Sequence, residues 1–237
     1  MSKKPLIITI EGTDGSGKET QCNKLCKYLN NNGINAKVIS FPQYDNHVSS
    51  YFVKEYLSGT FGNINNNLLN VYSASIMYAM DRYISYITDW KNYDVDVLIM
   101  DRYVDSNLIH QGAKISNLSD LVRFIDWEKD LEYNRLGLPI PDITFFLNMP
   151  PEASELLRKN RKNKITGGDA QDIHEDNIEY QNKSYQTAFT ICNLCDWERI
   201  DCSKVPYVTT TSDIYTPVTI SKKICKKVMD ILGKGGK

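Results

Sequence analysis

The chain has no excess of either charge: its 28 Lys and Arg nearly cancel 29 Asp and Glu, leaving −1 over 237 residues. Binding duplex nucleic acid depends on many uncompensated phosphate contacts, so this balance argues against a nucleic-acid partner and predicts that any bound anion is held locally. Long apolar runs are also missing. No stretch approaches the roughly 18 apolar residues a membrane span requires, and the run from Pro5 to Ile10 is too short for the apolar part of a secretory leader. A soluble, cytoplasmic protein with no membrane partner is expected. Histidine is scarce, and His47, His110 and His174 are too scattered to suggest a metal site or a proton relay. The six cysteines, Cys22, Cys26, Cys192, Cys195, Cys202 and Cys225, are even in number, but a chain of this size needs no disulfides to be stable, so they read as reduced thiols. A zinc site made from Cys22, Cys26, Cys192 and Cys195 is the competing reading; both pairs lie in helical stretches and lack the spacing of a zinc ribbon.

Hydrophobic residues make up 41% of the sequence, enough for a full core. Short apolar runs alternate with longer helical patterns from end to end, as in a parallel sheet with crossover helices. Strands are expected at 6–10, 36–41, 95–100, 143–148 and 197–201. Helices are expected at 18–31, 48–57, 68–90, 118–134, 151–161, 175–194 and 218–232. No Pro/Gly/Ser linker is long enough to mark a boundary, so residues 1–237 read as one α/β domain. The stretch 203–217, with four threonines and two prolines, reads as a long loop. The asparagine runs at 30–32 and 65–67 read as loop filler.

The most specific local signal is Gly12-Thr-Asp-Gly-Ser-Gly-Lys18, which follows the first strand and opens a helix. Glycines at 12, 15 and 17 let backbone N–H groups turn inward, the helix N-terminus favours an anion, and Lys18 would reach the β and γ phosphates of a nucleotide. ATP contacts are therefore expected from Gly12, Gly15, Ser16, Gly17, Lys18, Glu19 and Thr20. A glycine-rich turn without a ligand is the bland alternative. Glu19 stands where a Ser or Thr normally ligates Mg²⁺, with Thr20 one residue later, so the direct metal ligand stays open.

Asp101-Arg102-Tyr103 ends the third strand on the edge where open α/β sheets bind ligands. Together with the opening Glu11-Gly-Thr-Asp-Gly-Ser-Gly-Lys-x-Thr-Gln, it resembles the thymidylate kinase family. Further blocks resemble the same family in order: Phe41-Pro42, Tyr78-Ala-Met-Asp81-Arg82, Gly137-Leu-Pro-Ile-Pro-Asp142, Pro150-Pro-Glu152 and Asp172-Ile-His-Glu175. The resemblance spans about residues 6 to 202 and is specific as a set. It implies a three-layer P-loop NTPase fold with strand order 2-3-1-4-5, a homodimer packed through the 48–90 region, and phosphorylation of dTMP by ATP with Mg²⁺.

Joining two polyanions makes catalysis mainly a matter of positioning and charge neutralisation. Arg102 suits the acceptor phosphate because its fork binds two oxygens; an Asp–Arg pair that merely ties strand to helix is the alternative. The resemblance gives Asp101 the water shell of Mg²⁺. Tyr78 and Arg82 stand at i and i+4 on one helix face, and the family's matching pair stacks on thymine and donates to its O4. A guanidinium carries donors only, so it rejects the amino group of cytosine. Asn107 would read the ring edge, Phe41 would wall the pocket, and Gln111 would line it. Asp14 matches the position that contacts the 3′-hydroxyl. His110 replaces the usual Tyr beside C2′, which predicts a weakened but surviving 2′-deoxy preference.

Residues 158–164, Arg158-Lys-Asn-Arg161-Lys-Asn-Lys164, carry five positive charges and run into Gly167-Gly168. They suit a lid, about 158–172, that closes on ATP phosphates, although a solvated basic face would look the same. In the family the catalytic Arg comes from the phosphate loop or the lid; with Gly15 at the loop position, Arg161 is the first candidate and Arg158 the second. Glu175 reads either as a closing contact or as a structural ion pair. A kinase for another pyrimidine deoxynucleotide and a nucleotide-binding module that has lost phosphoryl transfer are the competing functions.

Overall fold

Strand β1 (Leu6–Glu11) is almost continuously apolar because helices cover both of its faces. It forms the centre of a five-stranded parallel sheet ordered β2 (Ala36–Ser40), β3 (Val97–Asp101), β1, β4 (Ile143–Asn148) and β5 (Glu198–Asp201). Ile8 lies beside Ile99 on one side, and Ile10 beside Phe145 on the other. The computed structural model describes residues 4–45, 48–61, 70–162 and 178–233, and the side chains of all of these except 158–162.

Alternate strand residues build two cores. On one face Ile8, Ile99 and Leu147 meet Leu25 and Leu29 of α1 (Lys18–Asn31) and Ile224 and Val228 of α8 (Pro217–Ile231). On the other, Ile7, Leu98 and Met100 pack on Phe41, Trp90 and Tyr103, while Phe146 meets Ile109 of α4 (Val104–Gly112) and Ala188 of α7 (Ile178–Leu194). This second face also carries α2 (Tyr51–Leu57), α3 (Val71–Thr88) and α5 (Leu118–Lys129). All five strands point their carboxyl ends at one edge, which gathers the loops after β1, β2 and β3.

The elements depart from the sequence reading at several ends. The second helix begins at Tyr51 rather than 48, because 48–50 form a turn. Helix α3 begins where the Asn70 side chain accepts the N–H groups of Tyr72 and Ser73, and it stops at Thr88, leaving Trp90 in a short 3₁₀ turn. Helix α4 was not anticipated: it is buried nearly all round and so has no amphipathic period. The helix expected to reach Asn134 stops being α-helical at Lys129 and continues as a π turn over Asp130–Arg135. The stretch 203–217 is ordered by a Ser203–Ile214 bridge and by the Asp213 carboxylate, which accepts the N–H groups of Thr209 and Thr210. All six cysteines are free thiols, and burial raises their pKa values, so they pack as small apolar groups.

Candidate active site

The loop from β1 to α1 is shaped by close approach. A Cβ on Gly12 would lie 2.7 Å from Ser16 Oγ and 3.2 Å from the Leu147 carbonyl oxygen. Gly17, at φ 89, turns the chain into α1; its carbonyl accepts the Gln21 N–H at 3.0 Å, but no side chain caps the N–H groups of the first turn, which leaves them as donors for an anion. Ser16 Oγ is buried without a protein partner. Lys18 Nζ donates to the carbonyl oxygens of Gly12 at 2.8 Å and Thr13 at 2.9 Å, so its charge is centred over the loop. Burial, reinforced by Arg102, brings its pKa down to about 8. Glu19 points to solvent and Thr20 is half-buried.

Beside this loop stands the acidic-basic cluster at the end of β3. Arg102 adopts φ 67, a left-handed conformation uncommon for a side-chain-bearing residue. Its Nη2 donates to Asp14 Oδ1, and its Nη1 lies 3.1 Å from His110 Nε2. Since Arg only donates, Nε2 must present its lone pair. His110 Nδ1 lies 3.3 Å from the Tyr180 hydroxyl, which itself donates to the His110 carbonyl, so Nδ1 carries the proton. Burial alone would raise the Asp14 carboxyl, but the charge of the adjoining Arg102, with that of Lys18 and the Arg102 hydrogen bond, holds it far below the ordinary range. Asp101, only 8% exposed, is raised by burial against the opposing pull of Lys18 and Arg102.

Glu11 fixes the turn that carries Arg102. Its two carboxylate oxygens accept the Tyr103 N–H at 2.7 Å and the Ser106 hydroxyl at 2.6 Å, tying β1 to the start of α4. Burial and the neighbouring Asp105 push its pKa up to about 7.

From Arg102 a cavity of about 250 Å³ runs inward between α2, α3 and α4. Asp14, Phe41, Tyr78, Arg82, Arg102, Asn107, His110 and Gln111, the residues expected at the acceptor, all line it. Phe41 rests against Tyr103 and Trp90, with ring centres 5.8 and 6.3 Å away. Tyr78 stands edge-on to Tyr56 at 6.0 Å. Arg82, expected as a base-reading donor, has much of its fork already engaged: Nε donates to Glu132 Oε2 at 2.6 Å, Nη2 to Glu132 Oε1, and Nη1 to the Tyr103 carbonyl at 3.3 Å. Two of its five N–H groups are left over, and these are what it can offer a ligand.

The sequence reading missed Tyr56, Lys114 and Tyr180 in this cavity, and Glu11, Glu128 and Glu132 behind it. Glu128, in the last turn of α5, and Glu132, in the π turn that follows, were findable as an i, i+4 carboxylate pair in one helical stretch of the sequence. Lys114 donates to Gln111 Oε1 at 2.7 Å, and burial lowers its pKa to about 8.

Arg158 and Arg161 lie on α6 (Pro151–Lys162), but their side chains, together with Lys164, Gly167, Gly168 and Glu175, fall outside the described residues. Among the described residues no three His, Cys, Asp or Glu side chains converge to hold a metal ion, and the cysteine pairs therefore make no zinc site. A single buried carboxylate, Asp101, beside the hydroxyl of Ser40 and an unpartnered Ser16 hydroxyl in the loop, fits an ion coordinated chiefly by phosphate oxygens and water.

Known sequences point the same way as this geometry. A family model described as thymidylate kinase matches residues 10–210. The thymidylate kinase of Mycobacterium tuberculosis is 30% identical over 182 residues, 76% of this chain and 82% of the relative. That of Plasmodium falciparum is 27% identical over 204 residues, 85% and 84% of the two chains. That of Prochlorococcus marinus (strain AS9601) is 31% identical over 159 residues, 66% and 72%. With the Gly12–Lys18 loop, the arginine-headed cavity and strands β2 to β5 all inside the matched stretch, the chain belongs to the thymidylate kinase family.

Proposed function

We propose that the protein transfers the γ-phosphoryl group of ATP to dTMP, releasing ADP and dTDP. The observation that carries this reading is Arg102, which stands between the Gly12–Lys18 loop and the acceptor cavity with its guanidinium held by Asp14 and His110. The acceptor oxygen of dTMP attacks the γ-phosphorus, the bond to the β-bridging oxygen breaks, and ADP carries away that oxygen. Lys18 and the loop N–H groups hold the donor phosphates while Arg102 holds the acceptor phosphate, bringing the two anions within reach. Mg²⁺ would supply charge neutralisation on the phosphates, with Asp101 organising its water and Glu19 or Thr20 as nearby oxygens. Arg161, or next Arg158, would bring a further positive charge from the lid.

In the acceptor cavity, Tyr78 provides the stacking face and Arg82 the donor for the base's 4-oxo group. The 5-methyl group distinguishes dTMP from dUMP by only about 1–3 kcal/mol in an apolar pocket, so dUMP is a slow alternative substrate. The chain acts as one domain in the cytoplasm and pairs as a homodimer through the 48–90 region; the exposed Tyr51, Phe52 and Ile76 supply apolar surface for that contact. No described helix is long and apolar enough to cross a membrane.

The test is direct. Incubation with ATP, Mg²⁺ and dTMP, followed by ion-exchange separation, should give ADP and dTDP in equal amounts, with both lost in Lys18→Ala. ADP formed without dTDP would overturn the reading.

A further inference from the structure

Behind the acceptor cavity lies a buried polar cluster that sits uneasily with a purely structural role. Glu128 and Glu132 are both fully buried, and the one guanidinium they face, Arg82, is 2% exposed. Glu132 takes the Arg82 fork, whereas Glu128 Oε1 stays 3.7 Å from Arg82 Nη2. Glu128 instead accepts a 2.6 Å hydrogen bond from Asn107 Nδ2. The same nitrogen donates to the Ser75 main-chain carbonyl at 3.2 Å. That carbonyl can only accept, so the atom facing it must be nitrogen; both amide protons are then engaged on the protein side. Asn107 Oδ1 makes no hydrogen bond among the described residues, and Asn107 lines the cavity.

We propose that Glu128 is a positioning residue for base selection, holding the Asn107 amide so that its carbonyl oxygen, an acceptor, is what the acceptor cavity offers beside the donors of Arg82. This rests on the reading of the cavity as the site of a pyrimidine monophosphate. A donor next to an acceptor complements a base edge with a 4-oxo group and an N3–H. It opposes the cytosine edge, where a 4-amino group and a bare N3 reverse both signs. Glu128 acts through Asn107 and touches no substrate. Burial and the adjacent Glu132 push the Glu128 pKa up to about 9, so at neutral pH it holds a proton. With Oε1 accepting from Asn107, that proton belongs on Oε2, which is buried without a hydrogen-bond partner among the described residues; a glutamine keeps the accepting Oε1 and puts its amino group at the Oε2 position.

The experiment compares Glu128→Gln and Glu128→Leu, measuring kcat and KM separately for dTMP and dCMP beside thermal melting. Glu128→Gln should keep the dTMP/dCMP ratio of kcat/KM within about twofold. Glu128→Leu should lower that ratio roughly tenfold or more, chiefly through the KM for dTMP. A folded Glu128→Leu protein with an unchanged ratio, or with equal losses on both nucleotides, would overturn the proposal. Should the leucine variant fail to fold, the unmodified protein decides the matter: the Asn107 side-chain amide protons should exchange slowly with solvent by NMR, and rapid exchange would sink the proposal. If the unmodified protein phosphorylates neither nucleotide, the functional reading fails, and the exchange measurement still tests the held amide.

Discussion

Replacing Arg102 by lysine keeps the charge but removes the fork, which makes it the sharpest probe of the acceptor site proposed above. In the structure one arm of the guanidinium bonds Asp14 and the other meets His110 Nε2, which leaves the remaining N–H groups to reach phosphate. A lysine ammonium is a single point and cannot reproduce this bridge. Losing one charge-assisted hydrogen bond costs about 1.5–3 kcal/mol, or roughly 10- to 150-fold in kcat/KM for dTMP. The KM for ATP should change much less, because Lys18 and the loop N–H groups remain. Stability should barely move: Arg102 is 27% exposed and lysine retains the same positive-φ backbone penalty. Steady-state kinetics with each nucleotide varied in turn makes the comparison. A loss confined to the ATP KM, with dTMP parameters intact, would refute the assignment of Arg102 to the acceptor.

Three further outcomes follow from the same geometry. Removing Glu132 strands the buried Arg82, and breaking such a pair costs about 3–5 kcal/mol; Glu128, only 3.7 Å away, can ionise and offset part of this, so denaturant unfolding of Glu132→Ala should show a loss of about 3 kcal/mol, and a loss near zero would contradict the packing. Glu11 has a folded pKa near 7 against a free value of 4.5, so between these the native state holds a proton that the unfolded chain has released. Its contribution is present below the free value and is lost as pH rises towards 7, by up to about 1.4 kcal/mol per pH unit; Glu11→Gln should flatten that part of the stability profile, and an unaltered slope would show that the raised pKa is absent. Gly15 sits at φ 79 with a would-be Cβ 3.2 Å from Ser154 Cβ, so Gly15→Ala should lower stability by roughly 1–2 kcal/mol and raise the KM for ATP; a variant with wild-type melting and ATP kinetics would contradict the loop geometry.

What was legible in the sequence was whatever is local. Five strands, the Gly12–Lys18 loop and the Asp101–Arg102 pair could be found because an apolar run, a glycine spacing and a strand end each carry their signal within a few residues. Helix α4 escaped because Val104–Gly112 is buried almost all round, which erases the period by which helices are recognised. The π turn at Asp130–Arg135 escaped because no glycine or proline marks it; the sequence there continues as a good helix, and the turn is set by what Glu132 meets across the core. The residues that the family motif assigns to the acceptor do line one cavity, but Tyr56, Lys114 and Tyr180 join it from α2, the turn after α4 and α7. Their membership is a property of how those helices pack, with no sequence spacing to announce it. The same holds for Glu128, whose role depends on a hydrogen bond to a residue 21 positions away.

The central claim is that this cavity selects a pyrimidine 5′-monophosphate with a 4-oxo edge for phosphorylation. The measurement that meets it most directly is kcat/KM for dTMP, dUMP, dCMP and thymidine under one ATP/Mg²⁺ condition, read by ADP release. The expected order is dTMP first, dUMP lower by roughly 5- to 150-fold for its missing methyl, dCMP far lower because its edge opposes Arg82, and thymidine at background because Arg102 has no phosphate to hold. Equal rates on dTMP and dCMP, or turnover of thymidine comparable to that of dTMP, would contradict it.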